Sequence, residues 1–143
     1  MVSLLTYDKS EKELQELRSL SKDIVALLSD EYWKMEHVHM LEHIKQFLQE
    51  KPLLDMLLYD ISQKDDLEYL QEIRKEYKET LLMLIADIKT SPMDYLKPSI
   101  GASSLLIRPW SKEQAREVLE EFFCVFMEQM QQEQDDKIGR AHV

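Results

Sequence analysis

Glycine is almost missing from this chain. Only Gly101 and Gly139 occur among 143 residues, so a P-loop or a dinucleotide-binding fingerprint has nowhere to form. Cysteine is scarcer still. Cys124 alone permits no internal disulfide and no thiolate set for zinc, which fits a reducing compartment. Bases are outnumbered, 18 against 28 acids, for a net charge of −10. Nucleic-acid affinity comes mainly from Lys and Arg neutralising phosphates, so this segment is not expected to grip a nucleic acid directly. No apolar run approaches the ~20 residues of a membrane span. The start, MVSLLTYDKSEK, lacks the basic n-region and long h-region of a signal peptide. The expectation is a soluble, cytoplasmic, acidic domain without a membrane partner. Its 44% hydrophobic content is enough to fill one core.

What is present is an alternation of short apolar runs with helix-like segments. Val2 to Tyr7 reads as a buried strand ending at Asp8. Ser10 with Glu13 three residues on predicts a capping box, followed by Leu14, Leu17, Leu20 and Ile24 at helical spacing. Tyr32 to Val38 alternates like a strand, and Met40 to Gln49 carries one apolar helical face. Leu53 to Tyr59 is a second buried strand, and Asp65 to Tyr77 a charged helix. Thr80 to Ala86 reads as a third strand, fully buried. Ser91 to Leu96 predicts a short helical turn, and Ser104 to Ile107 a last strand. Ser111 then caps a long helix bearing Ala115, Val118, Leu119, Phe122, Phe126 and Met130 on one stripe. Five β-then-α units predict an α/β, flavodoxin-like three-layer sandwich: a five-stranded parallel sheet of order 2-1-3-4-5 with five helices.

Such folds place their chemistry beyond the carboxyl ends of the strands. The run KPLLDMLLYD, residues 51–60, ends on Asp60 there, and Asp8 follows the neighbouring first strand. The two carboxylates face one Mg²⁺ in one reading and are ordinary loop caps in the other. Cys124, among Phe122, Phe123 and Phe126, is expected to be a packed thiol. His37, His39 and His43 lack an H-E-x-x-H frame or a cysteine partner, so zinc is disfavoured and solvated histidines are expected.

Two segments together resemble the receiver (CheY-like) domain of two-component response regulators over about residues 2 to 130. KPLLDMLLYDIS resembles the family's third strand with its phospho-accepting aspartate. GASSLLIRPWSKEQAREVL resembles its fifth strand, Lys-Pro corner and fifth helix. The resemblance implies a non-enzymatic regulatory module in a phosphorelay, with Asp60 as phosphoryl acceptor and Asp8 and Asp60 as weak ligands of Mg²⁺. It also marks departures. Lys9 stands where a second acid is expected, and is a candidate built-in cation. Arg108 stands at the phosphoryl-contacting lysine. Ile85 and Ala86 cover the switch Ser/Thr, and Leu105 fills the switch aromatic. The implied module is a degenerate receiver, a pseudo-receiver whose metal and switching machinery is incomplete.

The same resemblance implies partners: a sensor histidine kinase, an attached output domain and a second copy of the chain. The YDIS and LLIRPW segments are similar to receivers joined to LytTR-type DNA-binding domains, implying a transcriptional output. Phe123 and Met127, outside the single apolar stripe, are candidates for a dimer surface, equally weighed against a wide buried face. Residues 1–130 are expected to form the domain and 131–143 a linker start and non-native tail. KIGRAHV breaks the preceding composition and equals one reading frame of a common sequencing adaptor, so the natural protein is expected to continue beyond about Asp136. Two alternatives stay open: a purely structural interaction or dimerisation module, and a flavodoxin-like cofactor binder. The latter is disfavoured by the lack of Gly- and Ser/Thr-rich loops.

Overall fold

The central strands are buried along almost their whole length, and this continuity requires a sheet covered on both faces. The computed structural model describes residues 1–89 and 97–141, with side chains described as far as Asp136. Five strands, β1 (Val2–Tyr7), β2 (Trp33–Val38), β3 (Met56–Asp60), β4 (Leu81–Asp87) and β5 (Ser104–Arg108), pair in parallel in the order β2-β1-β3-β4-β5. Four helices lie among the described residues: α1 (Glu11–Leu28), α2 (Leu41–Gln49), α3 (Lys64–Glu76) and α4 (Lys112–Ala141). The helical turn expected from Ser91 to Leu96 lies outside them.

The two-residue period of a strand sorts the core into two layers. Leu4, Met56, Leu58, Met83 and Ile85 pack on one face under α1 and α4. Leu5, Tyr7, Leu57, Tyr59, Leu82 and Leu84 pack on the other under α2 and α3. All five strands run the same way, so their carboxyl ends share one edge. Asp8 follows β1 there, and Asp60 and Arg108 end β3 and β5.

Several local expectations change. The third strand begins at Met56 instead of Leu53, because residues 52–55 are held as a loop. Ser3 N–H donates to Asp55 Oδ2 at 2.8 Å, and Tyr77 Oη donates to the Pro52 carbonyl at 2.9 Å. Phe123, a candidate for a dimer surface, is fully buried. Its ring meets Trp33 edge-on at 5.7 Å, and Trp33 also meets Phe126 at 5.9 Å. Phe123 therefore belongs to the core, and Met127, half-buried against the same layer, lies beside it. Cys124 is the reverse case. Its position on α4 turns the thiol outward and it is exposed, so a packed thiol is ruled out. The polar stretch after Met130 continues as helix to Ala141.

Behind the sheet, Arg74 ties α3 to two loops. Its guanidinium donates to the carbonyls of Ile100 (2.7 Å), Tyr77 (3.0 Å), Thr80 (2.6 Å) and Gly101 (3.0 Å). Gly101 sits at φ +61°, a left-handed conformation that a side chain would strain.

Candidate functional site

Short β–α loops leave side chains at the strand ends little freedom, and the two aspartates use it alike. Asp8 Oδ1 accepts the N–H of Ser10 at 2.9 Å, and Asp60 Oδ1 accepts the N–H of Ser62 at 3.0 Å. Each is the two-residue Asx link that closes a turn. Both carboxylates are fully buried. The capping role considered for them is present, and so is their convergence.

Arg108 joins them. One terminal nitrogen lies 3.0 Å from Asp8 Oδ1 and 2.7 Å from Asp60 Oδ2. The other lies 3.3 Å from Asp60 Oδ1 and 3.4 Å from Asp87 Oδ1. Its Nε donates to Glu13 Oε1 at 2.6 Å. The guanidinium plane suits this forked arrangement, which a lysine could not match. Trp110 backs it, with the ring centroid 5.7 Å from the guanidinium carbon. The predicted capping box is therefore half formed. Ser10 Oγ accepts the Glu13 N–H at 3.3 Å, but the Glu13 carboxylate reaches Arg108 instead of the cap.

Lys9 supplies the second cation. Its backbone N–H donates to Asp60 Oδ2 at 3.1 Å. Its ammonium lies 3.7 Å from Asp60 Oδ1, donates to Ser62 Oγ at 3.1 Å, and pairs directly with Asp66. The ammonium also stands 5.1 Å from the Tyr7 ring centroid. Asp66 is a buried acid that sequence reasoning missed. It accepts the Gln63 N–H at 3.0 Å and the Tyr7 hydroxyl at 2.8 Å, and its carbonyl accepts the Tyr59 hydroxyl at 2.6 Å. Tyr7 and Tyr59, buried and facing these carboxylates, have phenol pKa values raised above the ordinary range.

Among the described residues five carboxylates, those of Asp8, Glu13, Asp60, Asp66 and Asp87, thus lie against Lys9 and Arg108, and the protons distribute accordingly. Burial pushes the Asp60 carboxyl up, but hydrogen bonds from Arg108 and the charges of Lys9 and Arg108 outweigh it and hold the pKa below the ordinary value. Asp8 goes the other way. Burial and the adjacent Glu13 carboxylate raise it to about 7, against the Ser10 N–H and Arg108. Its Oδ2 is buried without a hydrogen-bond partner. Arg108 is held more firmly protonated than a free arginine, since its carboxylate partners outweigh the cost of burial.

This donor set does not fit a divalent metal. A hard cation such as Mg²⁺ needs a near-octahedral shell of oxygens. Here both Asp60 oxygens accept N–H donors, Lys9 takes the place of an acid, and of the four Asp8 and Asp60 oxygens only Asp8 Oδ2 has no partner among the described residues. No group of three or more His, Cys, Asp or Glu suited to a metal occurs among the described residues. The histidines add nothing to it. His39 pairs with Glu11 at 3.1 Å and stacks edge-on with His43 at 5.9 Å. His37 is half-buried rather than solvated, both ring nitrogens lack partners, and burial with Arg18 and Lys22 nearby lowers its pKa to about 4.

The remaining expected positions flank the site. Ile85 lies opposite Asp60 in the β3–β4 register and Ala86 opposite Ile107, both fully buried. Leu105 is half-buried against the α3 layer. None of the three carries a hydroxyl. Asp87 ends β4 directly after Ala86, and its Oδ1 lies 3.4 Å from Arg108.

No protein-family model and no curated protein matches the sequence. Solved structures do match in fold. The chemotaxis response regulator CheY4 of Vibrio cholerae is 20% identical with a TM-score of 0.64, covering 85% of this chain and 98% of that one. A response regulator receiver domain protein from Clostridium thermocellum is 14% identical with a TM-score of 0.63, covering 85% and 94%. The signal receiver domain of a DNA-binding response regulator from Colwellia psychrerythraea is 12% identical with a TM-score of 0.65, covering 86% and 98%. The chain has the receiver-domain fold of two-component response regulators. No helix among the described residues is long and apolar enough to cross a membrane.

Proposed function

We propose that this chain is a regulatory pseudo-receiver, in which the fixed cations Lys9 and Arg108 replace a bound metal and protein contacts replace a phosphorylation cycle. One observation carries this reading: both oxygens of Asp60 already accept two N–H donors each. An attacking carboxylate needs a lone pair aimed at phosphorus and cations placed to meet charge on the moving phosphoryl group. In this site the cations neutralise the carboxylate instead. Arg108 would have to let go of Asp60 before an incoming phosphoryl group could reach it, and four acids hold Arg108 in place.

The absence of a hydroxyl at Ile85 and Ala86, and Leu105 in place of an aromatic, support a fixed state over a switched one. By this reading a sensor kinase is a docking partner at most, and output passes through contacts to an attached domain. The LLIRPW resemblance supports a LytTR-type transcriptional output for that domain, with the DNA contact made outside this segment.

Magnesium titration followed by amide NMR tests the metal half of the proposal. The wild type should show no saturable shifts around Asp8 and Asp60 at millimolar Mg²⁺. The double variant Lys9→Asp, Arg108→Lys, which restores an acid and frees Asp60, should gain them. Saturable shifts in the wild type would refute the proposal.

A further inference from the structure

Unpartnered polar atoms gather in one corner of the molecule. Six buried side-chain nitrogens and oxygens lack a hydrogen-bond partner among the described residues. Five of them belong to β1, β2 and the helix that joins them: Thr6 Oγ1, Ser21 Oγ, Trp33 Nε1 and both ring nitrogens of His37. Folded interiors pair nearly all such groups, so their concentration in one seam needs a physical reason.

The fold brings three of these residues to one place. Thr6 and His37 are register neighbours in the β1–β2 pair. Leu4 and Met35, two residues back on each strand, pack in the layer under α1, so the strand period turns Thr6 and His37 to the same side. On α1, Arg18, Ser21 and Lys22 share a face at i, i+3 and i+4 spacing. Ser21 is fully buried, while Arg18 and Lys22 are exposed and form no ion pair or hydrogen bond among the described residues. The charges that act on the His37 ring are these two, both positive. β1 sets only the uncharged Thr6 beside it, and on β2 itself Lys34 and Glu36 alternate to the opposite side. His39, past the strand end, pairs with Glu11, and α4 meets the strand at Trp33 through the rings of Phe123 and Phe126. Burial and the two cations thus keep the closed ring neutral, and its sealed nitrogens offer an added proton no acceptor.

We infer that the seam between α1 and β2 is a proton-operated latch, closed while His37 is neutral and released when the ring takes a proton that the closed seam cannot hold. β2 is the outer strand of the sheet and pairs with β1 alone, so it can part from α1 without breaking the central strands. Release carries the imidazolium into water and lets the orphaned hydroxyls of Thr6 and Ser21 find partners there. The latch is separate from the Asp60 site and does not depend on the pseudo-receiver reading.

Backbone amide exchange of the full chain, followed by NMR at pH 8 and pH 5 and expressed as protection over intrinsic exchange, tests it. A ring that titrates at its ordinary 6.5 when open and at about 4 when closed favours opening about thirtyfold more at pH 5 than at pH 8. The amides of β2 should lose protection by about that factor, and those of β3 and β4 should keep theirs. His37→Phe, which cannot take the proton, should hold β2 equally protected at both pH values. Arg18→Glu removes one cation and offers the imidazolium a partner, so it should shrink the loss at pH 5. Equal protection of β2 in the wild type at both pH values, a loss shared by β3 and β4, or an unchanged loss in either variant would each overturn the inference.

Discussion

Replacing Arg108 with methionine keeps the aliphatic bulk and removes the charge at the centre of the acidic site. Its guanidinium bridges Asp8 and Asp60, both with 0% exposure, and its own side chain is only 16% exposed. Removing one partner of a buried ion pair typically costs about 3–5 kcal/mol, because the other charge stays buried. Asp60 would keep the Lys9 and Ser62 N–H donors and the Lys9 ammonium at 3.7 Å, so the lower end, about 3 kcal/mol, is expected. Arg108→Lys should recover part of this, since it restores charge without the fork.

The pH dependence gives a second handle on the same variant. Asp60 has a lowered pKa in the folded protein, so its stabilising contribution is present above the ordinary carboxylate pKa and fades as pH falls through the folded value. Without Arg108 that contribution disappears, and Asp8 loses a cation that favours its ionised form. The deficit should therefore be present from neutral pH down to the ordinary carboxylate value of 3.8 and shrink below it, towards pH ~2. Urea unfolding followed by circular dichroism at both pH values measures it. A loss below about 1 kcal/mol at neutral pH, the scale of an exposed ion pair, would refute the description of Arg108 as the buried keystone of the site.

Other consequences are simpler to check. Asp8, raised to about 7, binds a proton more tightly folded than unfolded, so it costs stability as pH climbs from its ordinary value of 3.8 to about 7. Asp8→Asn should thus gain stability relative to wild type across that window, and melting temperatures that diverge the opposite way would contradict the account. Phe123→Ala should cost about 3–5 kcal/mol, as expected for a large buried aromatic; a loss within the range of a surface change would return Phe123 to the exterior. Cys124 should react with a thiol reagent in native protein at nearly the rate seen in urea, and strong native protection would show it buried.

The sheet was legible because buried parallel strands are continuous apolar runs. Val2–Tyr7 appears with the expected limits, β–α alternation implies the parallel pairing, and the strand order is the 2-1-3-4-5 expected of a flavodoxin-like sheet. Leu53 misled for the same reason: it extends an apolar run, yet Asp55 and Pro52 hold it in a loop where it is 76% exposed. The Phe122-Phe123-Cys124 stretch shows a different limit. Neighbours on a helix point about 100° apart, so two adjacent rings can be buried and the next residue exposed. Packing against the core layer that includes Trp33 on β2 decides which.

At the site, Asp8, Asp60, Lys9 and Arg108 could each be placed by their positions at strand ends. Their closure on one another could not. Glu13 reads locally as a capping acid, yet its carboxylate meets Arg108 across 95 residues of chain. Asp66 reads as one of many exposed helix acids, and only the folded loop after β3 brings it under Lys9 and Tyr7. A partial signal was available in its place at the first turn of α3, where acids favour the helix N-terminus.

The most direct test of the internal-cation account is intact mass after incubation with Mg²⁺ and a small-molecule acyl phosphate, using wild type, Asp60→Asn and the Lys9→Asp, Arg108→Lys variant. The account predicts an unchanged mass for wild type and Asp60→Asn, and one added phosphoryl group on the double variant that disappears when Asp60→Asn is included. A phosphoryl group added to the wild type and lost in Asp60→Asn would contradict it, because Asp60 would then be an open acceptor despite Lys9 and Arg108.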